Sequence, residues 1–409
     1  MGGLTASVYV MVPNDSTYLS VLLLNKVCVG VVRFTLVVND GILSLNKDRS
    51  RSVVAPPSSP NRNLQTTTEE RYRMNRAAVA VVATVGLFAL IQLGSLALVK
   101  PFIDAGYQTV EDPSDPTNSL LYIGAILVAT AVMLAAMKFG VDRLLQGLIV
   151  FASVFLAFYV FTIVVPPIVF VAGINVPAVV AALALGVGLL VYPEWYVIDT
   201  AGIIMGAGAA GLFGISFGPL PALVLLVVLA VYDAISVYGT EHMLTLASGV
   251  MDLRLPVVLV IPLTLSYSFL AETGPETLDS GEDREALADG DEGDETDAPD
   301  KPDDPFARDA FFIGLGDAVI PTVLVASVAV FRPGDAALLD VPGIAITVPA
   351  LGAMVGTLCG LIALLWMVMK GRAHAGLPLL NSGAITGYLI GAMAAGIALV
   401  DAFGLAPYV

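Results

Sequence analysis

Three aspartates lie inside long apolar stretches of this sequence, where a charged side chain is expensive: Asp199, Asp233 and Asp317. A carboxylate near the centre of a lipid bilayer costs about 2.5 to 3.5 kcal/mol on insertion scales, so each aspartate is a candidate functional group. Asp199 follows closely on the start of its apolar stretch, where we expect its carboxylate to reach the membrane surface and to be structural. Asp233 and Asp317 are therefore the pair to consider for chemistry.

These two aspartates are predicted to lie at similar depths below one membrane face. Asp233 precedes a predicted helix end near Tyr238 by about five residues, and Asp317 follows a predicted helix start near Ala310 by about seven. At 1.5 Å per residue the two depths are ~8 and ~10 Å. Two carboxyl groups that face each other at low dielectric cannot both ionise, so the pair is expected to share a proton.

A proton-sharing pair is compatible with two kinds of chemistry. In aspartic proteases one carboxylate takes a proton from water while the other donates a proton to the scissile carbonyl. In proton- or cation-coupled secondary transporters, membrane aspartates also pair and take up protons. Charge and depth alone leave both alternatives open, although no inverted-repeat symmetry that would favour a transporter is visible between the two halves of the chain.

The elements that must position these groups are membrane helices. Of the 409 residues, 57% are hydrophobic and only 13% are charged, which is too little polar surface for soluble domains. Because a helix needs ~20 residues to cross a bilayer, the apolar stretches predict an all-α bundle of nine transmembrane helices. They are expected at residues 77–99, 119–137, 146–171, 177–192, 197–215, 219–238, 310–331, 343–369 and 377–400.

The positive charges predict how the bundle is oriented. With the N-terminus inside, nine Lys and Arg residues fall on the cytoplasmic side and two on the outside. This predicts an N-in, C-out topology. The cytoplasmic residues are Arg71, Arg73, Arg76, Lys138, Arg143, Arg254, Arg308, Lys370 and Arg372, and the outer residues are Lys100 and Arg332.

The net charge of −16 belongs mainly to one segment. Fifteen of the 35 acidic residues lie between Glu272 and Asp304, and the rest of the chain has 20 acids against 17 bases. A segment so acidic and so poor in apolar residues is expected to be a disordered cytoplasmic linker between helices six and seven. The negative charge is therefore concentrated in this segment and is not spread over the surface of the whole protein. No nucleic-acid partner is expected.

Four parts of the chain follow from these features: an N-terminal extension of low order (1–73), a six-helix membrane part (74–254), an interfacial element with the acidic linker (255–308) and a three-helix membrane part (309–409). Met74 directly precedes the first apolar stretch, which favours it as the true start. Residues 255–270 are apolar but contain Pro256 and Pro262, so we interpret them as an interfacial or strand-like element rather than a span.

The residues around two of the aspartates resemble a known family. Tyr232-Asp233 and Gly314-Leu315-Gly316-Asp317 resemble the YD and GxGD motifs of presenilin and signal-peptide-peptidase type intramembrane aspartyl proteases. The family has nine spans, with its catalytic aspartates on the sixth and seventh and a long loop between them. Its third motif, Pro-Ala-Leu at the start of the ninth span, is similar to Pro378-Leu379-Leu380, in which Leu replaces Ala.

The resemblance implies a function. Asp233 and Asp317 would be the catalytic pair of an enzyme that hydrolyses peptide bonds within the transmembrane segments of other proteins, without a metal or an organic cofactor. The other residues of the three motifs would position the substrate. They are Tyr232, Gly314, Leu315, Gly316, Pro378, Leu379 and Leu380. In addition, Pro378 is expected to forbid helix at Leu377, which would leave main chain exposed for pairing with an extended substrate.

The expected partners are transmembrane protein or peptide substrates and the lipid bilayer. The low lysine content and the acidic loop point to a prokaryotic, haloarchaeal source and to the cell membrane as the location. Two glycine series, Gly352-Gly356-Gly360 and Gly383-Gly387-Gly391, repeat every four residues. They are expected to be helix-packing faces.

Overall fold

The computed structural model describes residues 60–139, 141–166, 169–171, 174–238, 258–262, 310–339, 341, 344–369 and 375–405. The acidic linker and residues 1–59 of the expected N-terminal extension lie outside this range. The described part of the chain is mostly helical, with two short antiparallel sheets.

The first three helices are α1 (Pro60–Asp104), α2 (Thr117–Lys138) and α3 (Asp142–Val164). Helix α1 begins with a proline, whose missing N–H is not needed in a first turn. It extends well beyond the predicted range at its N-terminal end. Helix α3 ends seven residues before the predicted limit, because Pro166 cannot continue the backbone hydrogen bonds.

A small hairpin separates these helices from the next three. Its strands are β1 (Phe170–Val171) and β2 (Ile174–Asn175), and it leads into α4 (Val176–Val191), α5 (Trp195–Ser216) and α6 (Pro219–Tyr238). The Asn175 side chain caps α4 by accepting a hydrogen bond from the Ala178 N–H at 3.4 Å. Helix α6 has the bounds predicted from the sequence.

The second sheet precedes the seventh helix. Strand β3 (Val258–Pro262) pairs antiparallel with β4 (Ala310–Gly314), and α7 (Leu315–Phe331) follows β4 directly. The strand-like interpretation of residues 255–270 is thus confirmed where the chain is described. The prediction of helix from residue 310 is wrong, because residues 310–314 pair with β3.

The last elements are α8 (Val348–Val368), α9 (Gly376–Ala394) and the single turn α10 (Leu399–Ala402). The hydroxyl of Thr347 caps α8 by accepting from the Ala350 N–H at 3.2 Å. Helices α8 and α9 pack closely through their glycines: a Cβ atom on Gly352 or Gly356 would overlap the carbonyl oxygen of Gly387 or Gly383. The predicted packing faces are therefore confirmed.

The surface of this bundle is suited to lipid. Large apolar side chains are exposed on several helices, for example Val82 at 70%, Leu121 at 72% and Phe151 at 66%. Within the described residues, seven helices are long and apolar enough to cross a membrane: α1, α2, α3, α5, α6, α8 and α9. Helices α4 and α7 are apolar but shorter, with 16 and 17 residues. The chain is thus a polytopic helical membrane protein.

Candidate active site

Asp233 is carried by the buried face of α6. Apolar residues recur on this face at helical spacing, including Leu226 and Leu229, and Asp233 follows Leu229 one turn later with 8% of its surface exposed. Its Oδ2 accepts a hydrogen bond from the backbone N–H of Leu377 at 3.1 Å. This N–H lies in the first turn of α9, where it has no acceptor within its own helix, so Asp233 caps α9 from a different helix.

Asp317 lies in the first turn of α7, immediately after β4. A Cβ atom placed on Gly314 would lie 3.5 Å from Asp317 Oδ2, and one placed on Gly376 would lie 3.0 Å from the same oxygen. The sequence-based estimate that Asp317 lies seven residues into its helix is wrong, since it is the third residue. Residues 310–314, which precede the helix, form strand β4. An extended residue rises about 3.3 Å along the chain, compared with 1.5 Å in a helix.

The two aspartates meet at the start of α9. Gly376 adjoins the carboxyl group of Asp317, and the next residue, Leu377, is hydrogen-bonded to the carboxyl group of Asp233. The structure therefore brings together the two residues that the sequence singled out, although the depth argument for one of them was incorrect.

Pro378-Leu379-Leu380 follow within the first turns of α9. The expectation that Pro378 forbids helix at Leu377 is wrong: α9 begins at Gly376, and Pro378 occupies an early position at which an N–H is not needed. Leu380 is fully buried in a cluster with Leu315 and Ala318, which lie on either side of Asp317 in the chain. This motif thus packs directly against the helix that carries Asp317.

Helix α9 is also tied to α6 one turn further on. The Asn381 side chain donates a hydrogen bond from Nδ2 to the carbonyl of Leu226 at 2.8 Å. At the other side of Leu377, the N–H of Ala375 donates to the hydroxyl of Tyr238 at 3.4 Å. Sequence reasoning missed Asn381, Tyr238 and Gly376, although a polar Asn inside an apolar helix is a signal that could have identified the first.

The glycines of the GxGD segment leave one side of Asp317 open. Gly314 and Gly316 are both exposed, and among the described residues beyond its own helix turn no heavy atom would lie within 4 Å of a Cβ atom on Gly316. Leu315 between them is buried and contacts α5 at the positions of Gly202 and Gly206. The segment is therefore anchored by its leucine and accessible along its glycines.

Tyr232 lies beside Asp233 in the chain but not on the same face of α6. It is 39% exposed, because successive helical residues are rotated by about 100°. Asp199 was expected to be solvated near the end of its helix, but it is buried, with 7% of its surface exposed, and its Oδ1 accepts a hydrogen bond from the Val260 N–H at 2.8 Å. Within the described residues, no group of three or more His, Cys, Asp or Glu could hold a metal ion.

The fold is a polytopic helical bundle, and its site is a pair of aspartates at the start of one helix. These two features define a class of membrane protein whose site consists of paired carboxyl groups. A family model described as signal-peptide peptidase, presenilin aspartyl protease matches residues 85–397. The chain belongs to this family. It is therefore a hydrolase that carries out intramembrane proteolysis, and the transporter alternative is not favoured.

Solved structures agree with the family. One, described as a presenilin family intramembrane aspartate protease in a C222 space group, is 34% identical, has a TM-score of 0.53 and matches 76% of this chain and 98% of its own. Another, described as the same kind of protease in a P2 space group, is 33% identical, has a TM-score of 0.50 and matches 76% and 96%. A comparison with curated proteins gave no match.

Proposed function

We propose that Asp233 and Asp317 are the catalytic pair of this protease. The observation that carries the proposal is their convergence on the consecutive residues Gly376 and Leu377 of α9. Helices α6, α7 and α9 hold the two carboxyl groups in place, and α9 contributes a backbone N–H that orients one of them. Such preorganisation is what a reaction at two cooperating acid groups requires.

The reaction follows from a pair that shares one proton. The ionised carboxylate takes a proton from a water molecule, whose oxygen forms a bond to the scissile carbonyl carbon. The protonated carboxyl group donates its proton to the carbonyl oxygen. The tetrahedral intermediate then breaks its C–N bond: the nitrogen accepts the proton held by the pair, and one hydroxyl of the intermediate gives its proton to the pair as the new carboxyl group forms. This releases a new carboxyl terminus and a new amino terminus and leaves the pair with one shared proton.

The open side of Gly316 is the proposed approach for the substrate. With no side chain at Gly314 or Gly316, a substrate backbone can come close to Asp317. The substrate helix must first unwind, because helical hydrogen bonds otherwise shield its amides. Leu315, Pro378, Leu379 and Leu380 act by fixing this segment and α9, while Tyr232, at the exposed face of α6, contacts the substrate or lipid.

The proposed topology has nine transmembrane helices, α1 to α9. Helices α4 and α7 would count as spans of about 24 and 26 Å, which a bilayer of ~30 Å accommodates by local thinning. With the N-terminus inside a prokaryotic cell membrane and the acidic linker in the cytoplasm, the topology matches presenilins. It favours substrates whose N-terminus lies outside the cytoplasm. The four-part division at residues 73, 254 and 308 belongs to the same proposal.

Direct cleavage tests this function. Purified enzyme in detergent or lipid is incubated with a single-span transmembrane peptide, and the fragments are identified by mass spectrometry. The wild type should cut within the apolar part of the peptide, and Asp317→Asn should give no fragments. Gly86→Ala is a control, because among the described residues outside its own helix turn nothing lies within 4 Å of a Cβ atom at Gly86. Fragments from folded Asp317→Asn would reject the proposed pair.

A further inference from the structure

Asp199 forms a hydrogen bond that joins helix α5 to strand β3. Its Oδ1 accepts from the backbone N–H of Val260 at 2.8 Å, and both residues are buried, at 7% and 1% exposure. A buried carboxyl group and a buried unpaired N–H are each costly. The hydrogen bond therefore offsets the cost of burying both groups. Neither residue belongs to the proposed catalytic pair.

The bond occupies the outer edge of β3. In an antiparallel pair, every second residue directs its N–H and C=O away from the partner strand. Val260, which lies opposite Phe312 in the register, directs its N–H to Asp199 in this way. Pro262, the next residue with that orientation, has no N–H to offer. Strand β3 is thus held by β4 on one side and by α5 on the other.

The same face of α5 contacts the helix that carries Asp317. Gly202, nearly one turn after Asp199, admits Leu259 of β3, whose Cδ2 would lie 2.9 Å from a Cβ atom at that glycine. One turn later, Gly206 admits Leu315, whose Cδ1 would lie 3.2 Å from its Cβ atom. Leu315 directly follows β4 and precedes Asp317 by two residues. The face therefore touches the strand pair and the start of α7 together.

We propose that Asp199 is a positioning residue of the protease. By holding Val260 it fixes β3 against α5, and β3 in turn fixes β4, which ends three residues before Asp317. The proposal rests on the assignment of Asp233 and Asp317 as the catalytic pair. Because a misplacement of about 1 Å is enough to slow a positioned reaction strongly, loss of this contact lowers the rate without removing a reacting group.

Substitutions that differ in hydrogen-bonding capacity test the role of Asp199. Asp199→Asn keeps an oxygen that accepts from Val260, so kcat should stay within about threefold of the wild type. Asp199→Leu removes the acceptor, so kcat should fall by about tenfold or more, with KM changed less and with cleavage spread to neighbouring bonds. Thr200→Ala is the matched control: Thr200 is exposed, and its hydroxyl donates to the carbonyl of Tyr196 in its own helix, at 2.6 Å.

The readouts are kcat and KM for a transmembrane peptide, the fragment masses and the thermal unfolding midpoint. A folded Asp199→Leu enzyme with wild-type kcat and fragments would overturn the proposal, even if its unfolding midpoint fell. So would an Asp199→Asn enzyme as slow as Asp199→Leu, since a retained acceptor should rescue the rate. Cleavage by Asp317→Asn would instead reject the catalytic pair, whatever the Asp199 variants show.

A second variant removes the donor rather than the acceptor. Val260→Pro deletes the N–H given to Asp199, while the hydrogen bonds between β3 and β4 are made by the alternate residues. Val260→Pro should reproduce the loss of kcat and the spread of cleavage sites. It replaces Asp199→Leu as the test of the proposal if Asp199→Leu does not fold. Wild-type kcat and fragments in folded Val260→Pro would contradict the proposal.

Discussion

Leu377 donates its backbone N–H to Oδ2 of Asp233 at 3.1 Å, although the two residues are 144 positions apart in the chain. The residue before it, Gly376, lies against the carboxyl group of Asp317. One peptide unit of α9 therefore contacts both aspartates. We therefore expect the start of α9 to set the separation of the pair, so that small changes there affect both carboxyl groups.

Side-chain size at Gly376 should control activity. A Cβ atom there would lie 3.0 Å from Asp317 Oδ2 and 3.5 Å from Leu364 Cδ2, so Gly376→Ala requires a shift of a few tenths of an ångström. The carboxyl group is the flexible end of a side chain, and we expect kcat to fall roughly two- to fivefold, which corresponds to less than about 1 kcal/mol. Gly376→Leu displaces the carboxyl group and should lower kcat by at least about 100-fold.

Peptide cleavage rates measure this size series. Gly86→Ala and Gly86→Leu are the controls, because a Cβ atom at Gly86 meets no neighbouring element within 4 Å in the described part of the chain. Equal activity of the wild type and a folded Gly376→Leu enzyme would show that the start of α9 does not set the geometry of the pair.

Packing of α8 on α9 should be intolerant of side chains at Gly356. A Cβ atom there would overlap the carbonyl oxygen of Gly383, and backbone cannot move aside as a side-chain end can. Gly356→Leu should destabilise the fold by at least the 1–3 kcal/mol typical of overpacking and lower the unfolding midpoint. Gly124→Leu should leave the midpoint unchanged, because no described neighbour lies within 4 Å of a Cβ atom at Gly124. A midpoint unaffected by Gly356→Leu would mean that the two backbones are not in contact.

The sequence is sufficient to identify carboxyl groups, because placing them in a membrane costs free energy. It does not show every contact that positions them. Asp233 and Asp317 stood out because carboxyl groups are rare in apolar stretches. The apolar run of residues 310–314 continues without a break into α7 and therefore predicts helix. Only their pairing with β3, about 50 residues earlier, makes them a strand. The role of Gly376 depends on Asp317, 59 residues away, and no local pattern encodes that distance.

Asp199 illustrates the same limit from the other direction. Its position near a helix start predicted solvation, yet β3 packs over that helix end and takes its carboxyl group as a hydrogen-bond acceptor. Depth along one helix is a one-dimensional estimate, whereas burial depends on which other elements cover the position. For residues 258–262, Pro256 and Pro262 did predict correctly that the chain is not helical.

Shortening the acidic linker should leave catalysis largely intact. Deletion of residues 276–300 removes charged chain between α6 and β4, and the cost of closing a loop changes only slowly with its length. We expect kcat within about threefold of the wild type in a peptide cleavage assay. A strong loss of activity, with an unchanged unfolding midpoint, would show that the linker gates or binds the substrate.

A protein that starts at Met74 should insert and be as active as the 409-residue chain. The candidate span in α1 begins at Ala78 and continues for 27 residues to Asp104, so the truncation leaves it complete. Membrane fractionation and peptide cleavage of the two forms measure the effect. Loss of insertion or of activity in the shorter form would assign a role to the first 73 residues.

The two aspartates should behave as one unit. Replacing either with Asn keeps the size of the side chain but removes the proton exchange, so Asp233→Asn and Asp317→Asn should each reduce cleavage to background. The double variant should be no slower than either single variant, because residues that act together are not additive. Since the pair needs one shared proton, wild-type activity should also fall at a pH high enough to ionise both groups. Unfolding midpoints close to that of the wild type must accompany the loss, and additive effects of the two substitutions would indicate that the carboxyl groups act independently.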